Sequence, residues 1–169
     1  MLMRNGIFSR RESARAFFPI STCRQENYAV AMSANVFRYE HRVTYSDCTV
    51  GNHIYYARYL DLLEAARGGF FRNVGATFLQ WQERDTIFPV VEAHLRYQSP
   101  ARYDDLLAIE VWLTKAERIR LNFAYRVRNQ SNAPVLESET LHVCAGLNEK
   151  PKRLPAELVA ALQPWVHAI

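Results

Sequence analysis

The sequence of 169 residues is poor in cysteine and has no long hydrophobic run. Its three cysteines are widely spaced, form no CxxC motif and have no histidines at zinc-finger intervals, so the pattern indicates neither a disulfide framework nor a metal site. Charged residues interrupt every apolar stretch before it reaches the roughly 18 residues that a membrane-spanning helix needs. We therefore expect a soluble protein without a metal ion or a membrane span. A reducing compartment, the cytoplasm, fits best.

A strong basic patch is also lacking. The formal net charge is +4, but residues 1–34 hold five arginines against two glutamates, which leaves 16 basic and 15 acidic residues in the rest of the chain. A nearly neutral body offers no basic stripe to a phosphate backbone. We therefore expect no nucleic-acid partner.

The segment 1–34 differs from the rest in composition. It is rich in arginine and poor in acidic residues, which is typical of an organellar transit peptide and would imply import into an organelle. A flexible tail, or a start codon set upstream of Met32, explains the same segment. We treat residues 1–34 as an extension and expect one domain over residues 35–169, because the strand and helix patterns begin at Val36.

The domain itself is marked by hydrophobic periodicity. Residues 36–45 alternate between apolar and polar side chains, as a half-buried strand does, and residues 54–74 follow a helical period. Further strands are predicted at 87–97, 107–113, 121–127 and 135–146, and a short helix at 156–166. This order predicts an α+β fold in which a five-stranded antiparallel sheet wraps one long central helix, the hotdog architecture. Gly68 and Gly69 inside that helix predict the close approach of another backbone.

Three segments carry a resemblance to a known family. The stretch RVTYSDCTVGNHIYYARYLDLLEAARGGFFRNVG, followed by VEAHLRYQSPARYDDLLAIEVWL and KRLPAEL, resembles the 4-hydroxybenzoyl-CoA thioesterase and YbgC-like acyl-CoA thioesterases, over about residues 37–162. The resemblance implies hydrolysis of an acyl or aromatic acyl thioester of CoA, with CoA as part of the substrate and no other cofactor. It also implies a homodimer or homotetramer.

The family's catalytic carboxylate is the position at which this sequence departs. It is the second aspartate of a D-x-D turn, and the turn here reads Asp47-Cys48-Thr49. A threonine cannot act as a general base at neutral pH, although Thr49 can position a water or the thioester. Asp47 is one substitute, because in an extended segment its side chain projects to the same side as Thr49. Cys48 is not favoured as a nucleophile, because the neighbouring aspartate raises the pKa of a thiol.

Two further residues qualify as the base. Glu64 lies on the flank of the predicted helix, where a half-buried carboxylate can act as a base, as in other hotdog enzymes, although an ion pair with Arg67 explains it equally well. His53 has a spacing similar to the D-x-N-x-H turn of plant acyl-ACP thioesterases, and histidine suits proton transfer near neutral pH. His53 or Asn52 can instead cap the helix.

The resemblance also assigns binding groups. The backbone N–H matching Tyr56 polarises the thioester carbonyl in the family, and we expect the amides of residues 54–56 to be unpaired at the helix start. Asn52 and Tyr59 are expected to contact the substrate, with Tyr59 in the core or the acyl pocket. Three cations fall where family members contact the CoA phosphates, although a solvated turn explains them equally well: Lys115, Arg118 and Arg120.

Three other functions remain open from the sequence. An acyl-ACP thioesterase and a hotdog hydratase would use a similar fold, the hydratase with a histidine and a carboxylate paired across the dimer. The substitution at Thr49 also permits a protein that binds acyl thioesters without hydrolysing them.

Overall fold

The computed structural model describes residues 35–75 and 77–167. The predicted extension, residues 1–34, lies outside the described residues and stays a prediction. The strands are β1 (Phe37–Arg42), β2 (Val90–Tyr97), β3 (Leu106–Glu117), β4 (Arg120–Arg128) and β5 (Pro134–Val143). The α-helices are α1 (Arg58–Asn73), α2 (Phe78–Glu83) and α3 (Ala156–Leu162), with short 3-10 turns at Tyr45–Asp47 and Gln163–Trp165.

The five strands form one antiparallel sheet in the order β1-β3-β4-β5-β2. Alternation in the sequence becomes alternation in burial, most clearly in β3, where the side chains on one face are fully buried. These side chains are Leu107, Ile109, Val111 and Leu113. The predicted antiparallel α+β sheet is confirmed.

Helix α1 packs on that buried face through its aromatic residues. The ring of Phe70 lies 6.0 Å from Phe37 of β1, 5.9 Å from Phe123 of β4 and 5.2 Å from Trp165, measured between ring centroids. Phe70 and the adjacent Phe71 are fully buried. These edge-to-face contacts join the helix to both the middle and the border of the sheet.

The helical layer differs from the prediction of one long central helix. Within the described residues it is divided among three α-helices, and the longest, α1, begins at Arg58 rather than at residue 54. The reason is that the amides of Ile54 and Tyr55 bond to loop carbonyls instead of starting a helix. Helix α2 was not predicted, although Thr77 and Gln80 form a capping box at its start.

The glycine pair was predicted to lie against another backbone, but in the structure it faces side chains. A Cβ added at Gly69 would lie 3.3 Å from the ring of Phe37 and 3.4 Å from Tyr39. At Gly68 the nearest atom would be a terminal nitrogen of Arg72 at 3.6 Å. Gly69 therefore allows the aromatic side chains of β1 to lie against α1.

Strand β2 ends the sheet and is unusually open. Seven of its eight residues are exposed, including Val90 and Val91 at 49% and 62%. The other edge strand, β1, alternates between half-buried and exposed residues and exposes mainly charged side chains. In the described part of the chain, no helix is both long and apolar enough to cross a membrane.

Candidate active site

The turn that follows β1 is held by Asp47. Its carboxylate accepts hydrogen bonds from the Thr44 backbone N–H and hydroxyl, both at 2.8 Å, and lies 3.0 Å from Nε2 of His41. Partial burial acts to raise the pKa of Asp47, but the hydrogen bonds from Thr44 and the His41 ring outweigh it and hold the pKa below its usual value. Asp47 is thus occupied in fixing the 3-10 turn.

Thr49 and His53 are brought together by the next turn. The Thr49 N–H donates to the carbonyl of His53 at 2.9 Å, and the Thr49 hydroxyl lies 3.4 Å from Nδ1 of the imidazole. Asn52, between them, has a positive φ of 51°, and its side-chain oxygen accepts a hydrogen bond from the Tyr103 N–H at 3.3 Å. Neither Asn52 nor His53 caps the helix, because the N-cap position is Ala57.

A cavity of about 640 Å³ opens beside this turn. It is lined by Tyr45, Cys48, Thr49, Val50, Asn52 and Tyr103. Burial, with the nearby charges of Asp47 and Asp105, raises the pKa of the Cys48 thiol. Cys48 is therefore a poor nucleophile, as the sequence predicted.

Unpaired backbone donors lie between this turn and α1. The Ile54 N–H donates to the carbonyl of Ala101 at 2.9 Å, and the Tyr55 N–H donates to the carbonyl of Asp47 at 3.0 Å. The prediction that these two amides are unpaired is therefore wrong. The N–H groups of Tyr56 and Ala57 have no acceptor among the described residues. The Tyr97 hydroxyl donates to the carbonyl of Tyr56 at 2.9 Å and fixes this segment. Two adjacent donors at a helix start can stabilise a developing negative charge.

Comparison with known proteins identifies the family of this chain. The sequence model of the thioesterase-like superfamily matches residues 43–162. The chain belongs to this superfamily. The thioesterase is 33% identical over 130 residues to the acyl-CoA thioester hydrolase YbgC of Escherichia coli, covering 76% of this chain and 97% of the relative. It is 25% identical over 132 residues to a 1,4-dihydroxy-2-naphthoyl-CoA hydrolase of Synechococcus elongatus, covering 77% and 94%.

Solved structures confirm the hotdog fold. The thioesterase resembles the crystal structure of a hypothetical protein, TT1821, of Thermus thermophilus with a TM-score of 0.72 and 27% identity, over 76% of this chain and 98% of the other. The predicted thioester hydrolase class is confirmed by these relationships. In the described residues, no three or more histidine, cysteine, aspartate or glutamate side chains are grouped to hold a metal ion.

Glu64 does not lie where the sequence predicted. Its side chain is exposed on α1, not half-buried against the sheet, and it forms no ion pair with Arg67 or another described residue. Arg67 turns instead toward the core, where its guanidinium donates to the Tyr125 hydroxyl at 3.4 Å. Glu64 is therefore a carboxylate without an ion-pair partner among the described residues. It lies about 9 Å along the helix axis from Arg58, the first residue of α1.

The three predicted phosphate-binding cations lie far from the turn within one chain. Lys115 pairs with Glu117 at 3.1 Å near the end of β3, while Arg118 lies in the β3–β4 turn and Arg120 is the first residue of β4. The Thr49 turn contacts the segment before the start of β3, and Lys115 is nine residues into that strand, or roughly 30 Å away. A single chain does not bring these cations beside Thr49.

Tyr59 is part of the core beneath the site. It is 4% exposed, its hydroxyl accepts a hydrogen bond from the Ala101 N–H at 3.4 Å, and its ring lies 5.5 Å from that of Tyr97. Sequence reasoning missed two features of the site, the aromatic side chain of Tyr45 and the free amide of Ala57. A Thr-x-x-Asp capping signal at residues 44–47 marks the turn that presents Tyr45.

Proposed function

We propose that this thioesterase hydrolyses an acyl-CoA thioester to a carboxylic acid and CoA in the cytoplasm. The observation that carries the proposal is the pair of unpartnered amides at Tyr56 and Ala57, close in sequence to the Thr49–His53 contact. The names of the relatives, an acyl-CoA thioester hydrolase and a 1,4-dihydroxy-2-naphthoyl-CoA hydrolase, support CoA thioesters as the substrate class.

In this mechanism His53 is the general base. Its imidazole removes a proton from a water molecule held near Thr49, and the water oxygen forms a bond to the thioester carbon. The carbonyl oxygen becomes negative and is stabilised by the N–H groups of Tyr56 and Ala57. The carbon–sulfur bond then breaks, and the CoA sulfur takes the proton from the imidazolium. Water is the only co-reactant, so the reaction requires no cofactor.

The surroundings of the two carboxylates rank them behind His53. One oxygen of Asp47, Oδ2, already accepts two hydrogen bonds from Thr44 and contacts His41, and the depressed pKa makes this carboxylate a weaker base. Glu64 has no such engagement, but it lies further from Tyr56 along the chain. It is the second candidate for the base.

Three substitutions test the assignment. We expect His53→Gln to reduce kcat by about 10²- to 10⁴-fold with little change in KM, the usual effect of removing a positioned base. Glu64→Gln and Asp47→Asn should have much smaller effects on kcat. Asp61→Asn is the matched control, because Asp61 is an exposed α1 carboxylate paired with Arg58. A large kcat loss in Glu64→Gln, with none in His53→Gln, would assign the base to Glu64.

A substrate panel separates the alternative functions. Acyl-CoA and acyl-ACP thioesters should be compared with an enoyl-CoA hydration assay, and we expect hydrolysis of CoA thioesters to dominate. Thr49→Asp should preserve or raise activity, because it restores the carboxylate that the family carries. A wild-type protein that hydrolyses no thioester, but gains activity with Thr49→Asp, would instead be a binding protein.

We further propose that the chain forms a homodimer in which β2 pairs with β2 of a second copy. Two such dimers could associate into a homotetramer. Strand β2 exposes both faces and the apolar Val90 and Val91, whereas the other edge, β1, exposes charged residues. An open apolar edge strand offers unpaired backbone groups for such pairing.

A further inference from the structure

The rim of the cavity is aromatic and open. Tyr45 is 86% exposed and Tyr103 is 55% exposed, and their rings meet edge to face with centroids 6.4 Å apart. Val50, on the same cavity, is fully exposed. Large apolar side chains exposed together around one concavity are typical of a binding surface.

Both tyrosines are held by fixed turns. Tyr45 begins the 3-10 turn that the Asp47 carboxylate closes. Tyr103 donates its N–H to Asn52 and lies in a turn closed by a 2.7 Å hydrogen bond from the Arg102 N–H to Asp105. The backbone that carries the two rings is thus fixed before any ligand arrives, which lowers the entropy cost of binding.

The polar groups on the cavity suit an uncharged ligand. The hydroxyls of Tyr45 and Tyr103 and the side-chain NH₂ of Asn52 have no partner among the described residues. Charged side chains of both signs lie nearby: Asp104 and Asp105 follow Tyr103 in the chain, and Arg42 is paired with Asp104 at 3.1 Å. The remaining cation, Arg102, directs one N–H to the carbonyl of Asn52. The two acidic and two basic side chains balance, so these surroundings carry no excess positive charge to attract phosphate groups.

From these observations we infer that the cavity receives the acyl group of the substrate, and that Tyr45 and Tyr103 select a planar aromatic acyl group. The inference rests on the proposed hydrolysis of acyl-CoA. A planar ring can stack on one tyrosine and meet the other at its edge, an arrangement that a flexible alkyl chain cannot reproduce. Thr49 lines the same cavity and lies 3.4 Å from Nδ1 of His53, so an acyl group bound there would bring its thioester carbon toward the proposed base.

The test compares two acyl groups and two thiol groups. Tyr45→Leu and Tyr103→Leu are assayed with benzoyl-CoA, hexanoyl-CoA and the benzoyl thioester of N-acetylcysteamine, which lacks the nucleotide. We expect each variant to lower kcat/KM for both benzoyl thioesters by about 3- to 10-fold, and to change hexanoyl-CoA hydrolysis less than about twofold. Leu147→Ala, an exposed apolar residue outside the cavity, is the control. Tyr45→Phe should keep the wild-type preference, because it keeps the ring.

Other results would overturn the inference. Equal losses for benzoyl-CoA and hexanoyl-CoA, with none for the N-acetylcysteamine thioester, would assign the cavity to the nucleotide. Unchanged kinetics in both variants would show that the cavity does not bind substrate. If the wild type hydrolyses no thioester, the proposed function is wrong, but the acyl cavity can still be tested. Calorimetry then measures the binding of S-phenacyl-CoA, which cannot be hydrolysed, to the wild type and the leucine variants. Weaker binding in the leucine variants supports the acyl cavity, and unchanged binding rejects it.

Discussion

At the scale of single residues, His142 is a buried imidazole with both nitrogens engaged. Nδ1 lies 3.1 Å from the carbonyl of Phe88 and therefore carries the hydrogen, so Nε2 accepts from the Thr140 hydroxyl at 2.9 Å. The Tyr125 hydroxyl and Arg67 continue this chain of hydrogen bonds. Burial, assisted by the charge of Arg67, lowers the pKa of His142 to about 4. The folded protein thus holds this ring neutral.

The buried imidazole of His142 should make the free energy of unfolding depend on pH. Its pKa is lower in the folded state than its usual 6.5, so its contribution is complete above about pH 6.5 and is lost as the pH falls toward 4. The free energy of unfolding should fall by about 2–3 kcal/mol from this residue between pH 7.5 and 4.5. Urea unfolding at several pH values measures the change. His142→Gln should be less stable at pH 7.5 but show a smaller dependence over this range; an equal slope in both proteins would contradict the prediction.

Residue types alone indicated the Asp47–Glu64 region as the site, but not what each side chain does there. The Thr-x-x-Asp spacing that occupies Asp47 is readable from the sequence, yet the contact of its carboxylate with His41 depends on the turn back toward β1. The direction of Arg67, toward Tyr125 rather than Glu64, is fixed by a strand 58 residues away in the chain. Periodicity places a residue on a face, but it does not choose between partners of this kind.

At the scale of elements, we expect the two glycines of α1 to respond differently to substitution by alanine. Gly68→Ala removes the flexibility of glycine, and its Cβ would meet a movable arginine end at 3.6 Å and the Phe78 ring at an ordinary contact distance of 4.0 Å, so it should stabilise the protein by about 0.5–1 kcal/mol. Gly69→Ala would press against the Phe37 ring, which packs on Phe70, so it should gain less or lose stability. Thermal unfolding of both variants gives the comparison, and a higher Tm for Gly69→Ala than for Gly68→Ala would refute it.

The open edge of β2 gives a second prediction at this scale. Val91→Lys places a charge on the edge and should shift the proposed dimer toward monomer, as edge lysines do in natural sheets. Leu79→Lys on α2 is the matched control, since Leu79 is 63% exposed and Val91 is 62% exposed. Light scattering at micromolar concentration measures the molar mass of the wild type and both variants. A wild type that is strictly monomeric, or a Val91→Lys variant that stays dimeric, would count against pairing through β2.

Elements with a repeating pattern were predicted well, and short or bridging segments were not. The sheet was anticipated because alternation over six to twelve residues survives small errors at the strand ends. Helix α2 has six residues, too few to show a period, and only its capping box marks it. The segment 54–57 has helical spacing, but the amides of Ile54 and Tyr55 bond to the neighbouring loops, an outcome that depends on the folded sheet.

At the scale of the whole molecule, residues 37–165 supply all the named elements, and the superfamily match begins at residue 43. A chain that begins at Met32 should therefore fold, stay soluble and hydrolyse thioesters at the full-length rate. A chain that begins at Val43 is the control. It lacks β1, which pairs with β3 from Phe37 to Arg42 and provides the Phe37 ring against Phe70, so it should be insoluble or unfolded. Circular dichroism, Tm and kcat compare the three chains. Loss of soluble protein on removal of residues 1–31 alone would show that the extension packs on the domain, and the boundary predicted from the sequence would then be wrong.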